Sequence, residues 1–198
     1  MTTEPDEQSG PESQVEVNEP KRRVGVLALV AVVIVILDIV TKVIALAALE
    51  GSEPVRLLGG AVYLQIVRNP GAAFGMATGM TWLLSLIMIA VIIAILVLAR
   101  KLRSAGWAFG LGLILAGAFG NLIDRIFRAP GPLQGHVVDF VSVFAPDGRI
   151  WPVFNVADSS IVVGGILIVL LSLLGRDYDG RRATRRGRDG GDAEEARS

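Results

Sequence analysis

Two aspartates, Asp139 in HVVDF and Asp158 in FNVAD, flank the start of the last apolar stretch of the chain. A carboxylate at the edge of a membrane span is expensive and marks a functional position. Two carboxylates at one depth cannot both ionise cheaply, so they share a proton and can activate water. The other reactive chemistries are thinly represented. There is no cysteine, which removes thiol nucleophiles, thiolate metal sites and disulfides. The one histidine, His136, is too little for a zinc centre, and no metal is expected. No Gly-x-Ser-x-Gly elbow is present.

These groups must be positioned by membrane helices. The chain has 198 residues, 52% of them hydrophobic and 19% charged, with a mean hydropathy of +0.57, which points to a multispan membrane protein. Four apolar segments approach or reach the roughly 20 residues that a span needs. They run from Val24 to Leu49, Trp82 to Ala99, Gly106 to Ile123 and Val156 to Gly175. The first could pass for a signal peptide, but its apolar run is long and Asp38 and Lys42 interrupt the region where small residues would precede a cleavage site.

Basic residues set the orientation. Lys21, Arg22 and Arg23 precede the first span, and Arg100, Lys101 and Arg103 join the second to the third. Arg176, Arg181, Arg182, Arg185, Arg186, Arg188 and Arg197 follow the fourth. Both termini are therefore expected inside, with the long connections 50–81 and 124–155 outside. Residues 1–23, acidic through Glu4, Asp6, Glu7, Glu12, Glu16 and Glu19, and the Arg/Gly-rich residues 176–198 read as disordered cytoplasmic tails around a domain spanning 24–175. AVYLQIVRN and HVVDFVSVF in the outer connections are strand-like between Gly/Pro clusters. The predicted fold class is a membrane α-helical bundle of four spans with a small, partly β extracytoplasmic element.

Depth sharpens the pattern. Asp38 lies about 21 Å from the inner end of its helix, and Lys42 one turn further out. Asn121, Asp124 and Arg125 fall at i, i+3 and i+4 on one face at the outer end of the third span. The inner half carries no intramembrane charge, which argues against a proton or ion carrier. Taken alone, the pairs Asp38–Lys42 and Asp124–Arg125 could equally be simple charge neutralisation.

At this point the chain resembles a family, the lipoprotein signal peptidases (signal peptidase II), through five segments in order. They are DIVTK (Asp38–Lys42), NPGAAFG (Asn69–Gly75), AGAFGNLIDR (Ala116–Arg125), VVDF (Val137–Phe140) and FNVAD (Phe154–Asp158). The resemblance implies an aspartic endopeptidase of the bacterial cytoplasmic membrane with its site on the outer face. It would remove the signal peptide from diacylglyceryl-modified prolipoproteins by cleaving before the lipidated cysteine. Asp139 and Asp158 map onto the catalytic pair. Asp38, Lys42, Asn69, Gly71, Asn121, Asp124, Arg125, Asn155 and Ala157 inherit supporting roles, with Asn69, Asn121 and Arg125 facing substrate or the antibiotic globomycin. Membrane lipids are the other expected partner. No cofactor, no nucleic acid and a monomeric state are expected.

Local chemistry adds an asymmetry. Asn155 suits an N-cap, which puts Asp158 at the third helical position, where free N–H groups and the positive end of the helix dipole favour the carboxylate. Asp158 is therefore expected to be the resting base and Asp139 the proton holder, on a loosely specified approach through residues 128–135. Asn69, in an Asn-Pro-Gly turn, is expected either to offer its amide to substrate backbone or to serve the turn alone, Asp124 to orient Arg125 or cap a helix end, and His136 to be a bystander.

Overall fold

The computed structural model describes residues 21–71 and 80–180. The acidic stretch 1–20, the arginines beyond residue 180 and the AAFG part of NPGAAFG lie outside the described residues. Four helices are long and apolar enough to cross a membrane: α1 (Val24–Leu49), α2 (Thr81–Ala99), α3 (Ala105–Phe127) and α4 (Val156–Leu173). The protein is a multi-pass membrane protein. α3 outruns its predicted end by four residues because its apolar stripe continues past Asn121 as Leu122, Ile123, Ile126 and Phe127.

α3 is the centre of the bundle. In its most apolar window 67% of residues are buried, against 17–22% in the other three helices. Small residues explain this, because close helix approach within lipid requires small side chains at the contact. A methyl added at Gly117 would lie 2.3 Å from the Ala157 carbonyl oxygen, and one at Gly120 would lie 2.6 Å from Asp38 Oδ2. At mid-bundle, Gly110 of α3 packs directly against Gly164 of α4. α1, α2 and α4 all pack on α3, whereas α2 makes no more than slight contact with α1 or α4. The outward faces of α1, α2 and α4 are apolar and exposed, as at Leu29, Val33, Ile87, Val97 and Val169, and so suit lipid.

At one end, the connections fold into an antiparallel sheet of order β1-β2-β3, with β1 Val55–Leu57, β2 Val62–Asn69 and β3 Val137–Val143. β2 and β3 are the two stretches expected from sequence, and β1 is an additional edge strand. A register shift between Leu64 and Val67 brings Val67 opposite Asp139 and Asn69 opposite Val137. Phe154 then bridges back to Val141, so the approach to α4 is tied to β3.

At the other end the described termini meet. Arg23 N–H donates to the Leu102 carbonyl, and Arg103 and Ser104 N–H both donate to the Tyr178 carbonyl. Trp107 Nε1 donates to the Arg176 carbonyl at 2.7 Å, and its ring meets Tyr178 edge-on.

Candidate active site

β3 carries Asp139 and the first turn of α4 carries Asp158, and both line one cavity of about 540 Å³ between α2, α3 and α4 at the sheet end. Asn69, Gly71, Asn121 and Arg125 share its wall. Leu84 and Met88 of α2 and Ile161, Val162 and Val163 of α4 make its apolar sides. Trp151, Pro152 and Val153, which the sequence motifs do not include, complete the rim with Phe154.

Every carboxylate oxygen of the pair has a neutral N–H donor. Asp139 Oδ1 accepts from Asn155 Nδ2 at 2.7 Å and its Oδ2 from Asn69 Nδ2 at 2.9 Å. Asp158 Oδ1 accepts from Asn121 Nδ2 at 2.8 Å, and its Oδ2 from the Asn155 backbone N–H at 3.2 Å. Asn155 therefore touches both. Its own Oδ1 accepts the Asp158 N–H at 2.9 Å, which completes the predicted capping box. Asp139 is pushed up to about 7, first by burial and next by the charge of Asp158, against the opposing pull of the Asn69 and Asn155 donors.

Behind the pair lies a buried charge cluster. The Lys42 ammonium, 1% exposed, sits 2.8 Å from Asp38 Oδ2 and 2.9 Å from Asp124 Oδ2. It also donates to Asn121 Oδ1 at 3.2 Å. Asp38 uses its other oxygen to accept the Ala157 N–H at 3.0 Å, one of the free donors at the start of α4. That bond explains why the fully buried Ala157 belongs with the site although its methyl has no chemistry.

Three sequence expectations change. Asp124 does not pair with Arg125; it pairs with Lys42 and Arg128 and accepts the Val138 N–H at 3.2 Å, so it secures the strand that bears Asp139. Helix phase is the reason: Arg128, one turn on, lies over Asp124, whereas Arg125 points a quarter-turn away. Arg125 instead donates from Nη2 to the Gly71 carbonyl at 2.7 Å and from Nη1 to the Gly135 carbonyl at 3.4 Å, and its buried Nε–H has no partner among the described residues. Residues 128–135 are not loosely held. Gln134 N–H donates to Gly131, Gly135 N–H to Arg125 and His136 N–H to Ala129, while Ser85 Oγ donates to the Leu133 carbonyl at 2.7 Å. Asn69, finally, gives its amide to Asp139, and its Oδ1 accepts the Gly71 N–H at 2.9 Å in an Asx turn.

Thr81 and Ser85 had been passed over. Thr81 Oγ1 donates to the Pro70 carbonyl at 2.6 Å, so the pair fastens α2 to both connections. Two hydroxyls at i and i+4, opening an otherwise apolar span, were the available signal.

A family model described as Signal peptidase (SPase) II matches residues 30–174, which include every residue of this cavity and of the cluster behind it. The chain belongs to the signal peptidase II family. It is 57% identical over 156 residues to a lipoprotein signal peptidase of Rhodococcus jostii (strain RHA1), covering 79% of this chain and 76% of that one. Against a lipoprotein signal peptidase of Mycobacterium tuberculosis (strain ATCC 25618 / H37Rv) the identity is 53% over 178 residues, covering 89% and 86%. The fold matches a solved bacterial membrane enzyme with a TM-score of 0.67 at 33% identity, over 78% of this chain and 92% of that structure. As a signal peptidase II the protein is a peptidase, and the cavity is the place to look for its peptide-cleaving groups.

Proposed function

We propose that the protein is an aspartic endopeptidase that removes signal peptides from diacylglyceryl-modified prolipoproteins, cleaving before the lipidated cysteine. The observation that carries this reading is the pair itself: two aspartates in one largely apolar cavity, each oxygen held by a neutral donor. Asp139, pushed up to about 7, holds a proton roughly half the time at neutral pH, while Asp158, at the capped start of α4, is the base.

Asp158 takes a proton from water as the water oxygen bonds to the scissile carbonyl carbon. Asp139 donates its proton toward the carbonyl oxygen, giving a neutral gem-diol. Collapse returns a proton to Asp139, breaks the C–N bond and delivers the proton held by Asp158 to the leaving amine. The Arg125 guanidinium lines the cavity, and its Nε–H has no partner among the described residues, which suits Arg125 to a role in holding substrate. The apolar flanks of α2 and α4 suit a lipid-anchored substrate. By the distribution of basic residues, the sheet end lies outside and both termini lie in the cytoplasm.

Cleavage of a diacylglyceryl prolipoprotein by wild type, Asp139→Asn and Asp158→Asn tests the assignment. Each variant should lose activity roughly a thousandfold or more. Near-wild-type cleavage by either would overturn it.

A further inference from the structure

The buried cluster contains a group that the mechanism above does not use. Lys42 lies outside the cavity wall, yet it is joined to the pair by a single side chain, Asn121. Asn121 has one acceptor end and one donor end. Its oxygen takes hydrogen bonds from Lys42 Nζ and from Asn155 Nδ2, both at 3.2 Å. With the oxygen engaged on that side, its N–H2 must face Asp158 Oδ1, where it sits at 2.8 Å. Flipped, the amide would set its oxygen against the carboxylate and its N–H2 against an ammonium, which repels at both ends.

We propose that Lys42 is a positioning residue: it fixes the Asn121 amide so that Asp158 always meets a donor, and α1 thereby selects Asp158 as the base. This rests on the aspartic reading above.

The grip is double. The Asp38 carboxylate, paired with Lys42 on one oxygen, holds the Ala157 N–H on the other, so α1 also fixes the turn of α4 that bears Asp158. Two carboxylates and Asn121 surround the Lys42 ammonium, giving each of its three protons an acceptor. The charged groups that act on Asp158 are Lys42 and Asp38 from α1, Arg125 from α3 and Asp139 from β3, whereas α2 contributes no titratable side chain.

The test is the pH profile of cleavage by Lys42→Met, a change of similar length without the donor or charge. Asp158 should then need a higher pH to ionise. The acid limb of kcat should move up by about one pH unit, which lowers kcat by up to about tenfold at any pH on that limb. KM should stay within about twofold, because Lys42 touches no substrate. An unmoved acid limb, or a loss carried by KM, would overturn the proposal and leave Lys42 a packing residue. If Lys42→Met does not fold, Asp38→Asn/Lys42→Met, which leaves one fewer buried carboxylate unpaired, is read in its place, with a smaller upward shift of the acid limb expected because the opposing Asp38 charge is removed with it. Failure of both to fold would make Lys42 a folding residue and also overturn it. Asp158→Asn in parallel separates the two readings: an active Asp158→Asn sinks the aspartic mechanism, whereas an inactive one beside an unmoved limb sinks only the role of Lys42.

Discussion

Replacing Asp139 by Asn should abolish the pH dependence of this position's contribution to stability. The ordinary value of 3.8 becomes about 7 in the folded protein, so the native state binds a proton there that the unfolded chain has released. A carboxyl raised in this way stabilises fully below its unfolded value, and that stability is lost as pH rises through the folded value. Linkage over that window costs the wild type about 2–3 kcal/mol between pH 5 and pH 8. Asn has no such proton. It also offers Asn69 and Asn155 only one acceptor between them, a pH-independent penalty of about 1–3 kcal/mol. The variant should therefore melt below or near wild type at pH 5 and gain on it by about 5–10 °C at pH 8. Thermal unfolding of both proteins in one detergent, at pH 5 and pH 8, reads the difference for the coupled pair, because the carboxylates other than Asp158 titrate alike in both. An equal gap at the two pH values would refute the claim that burial and Asp158 hold a proton on Asp139.

Gly117→Ala should destabilise the protein by about 1–3 kcal/mol or more and sharply reduce cleavage, since its methyl meets the Ala157 carbonyl oxygen at 2.3 Å and must push back the turn carrying Asp158. Gly165→Ala, with nothing within 4 Å, should melt at or slightly above wild type, and equal behaviour of the two variants would contradict this packing. Arg125→Lys cannot span the Gly71 and Gly135 carbonyls with one ammonium, so kcat/KM should fall about tenfold or more; a wild-type value would show that the guanidinium fork does not matter.

The spans were legible because their apolar runs are long and because lipid demands internal hydrogen bonding. The Asn155 cap was legible because capping is local: Asn155 and Asp158 are three residues apart and answer each other without distant partners. What escaped was settled by three-dimensional neighbours. Asp124 could have paired with any nearby cation, and only the docking of α1 on α3 brings Lys42 to it. The Asn-Pro-Gly sequence signals the turn at Asn69, and only the β2–β3 register delivers its amide to Asp139. The 128–135 segment is rich in Pro and Gly and seemed slack, but its fixings come from Ser85 of α2 and from the backbone of α3.

That α2 rests on α3 and stands clear of α4 has a consequence for how substrate and enzyme meet. Leu84 and Met88 of α2 and Ile161, Val162 and Val163 of α4 line the cavity from two helices that make at most slight contact with each other, so under the proposed function the cavity would open to lipid between them. A lipid-anchored chain would thus arrive by sliding in the plane of the bilayer, already upright and at the right height. The search is two-dimensional, and most of the orientational freedom that a soluble protease must remove on binding is gone before contact. Under the proposed function, hydrolysis would take place at the seam between two solvents, and the cleaved signal peptide would leave sideways along the route by which it came.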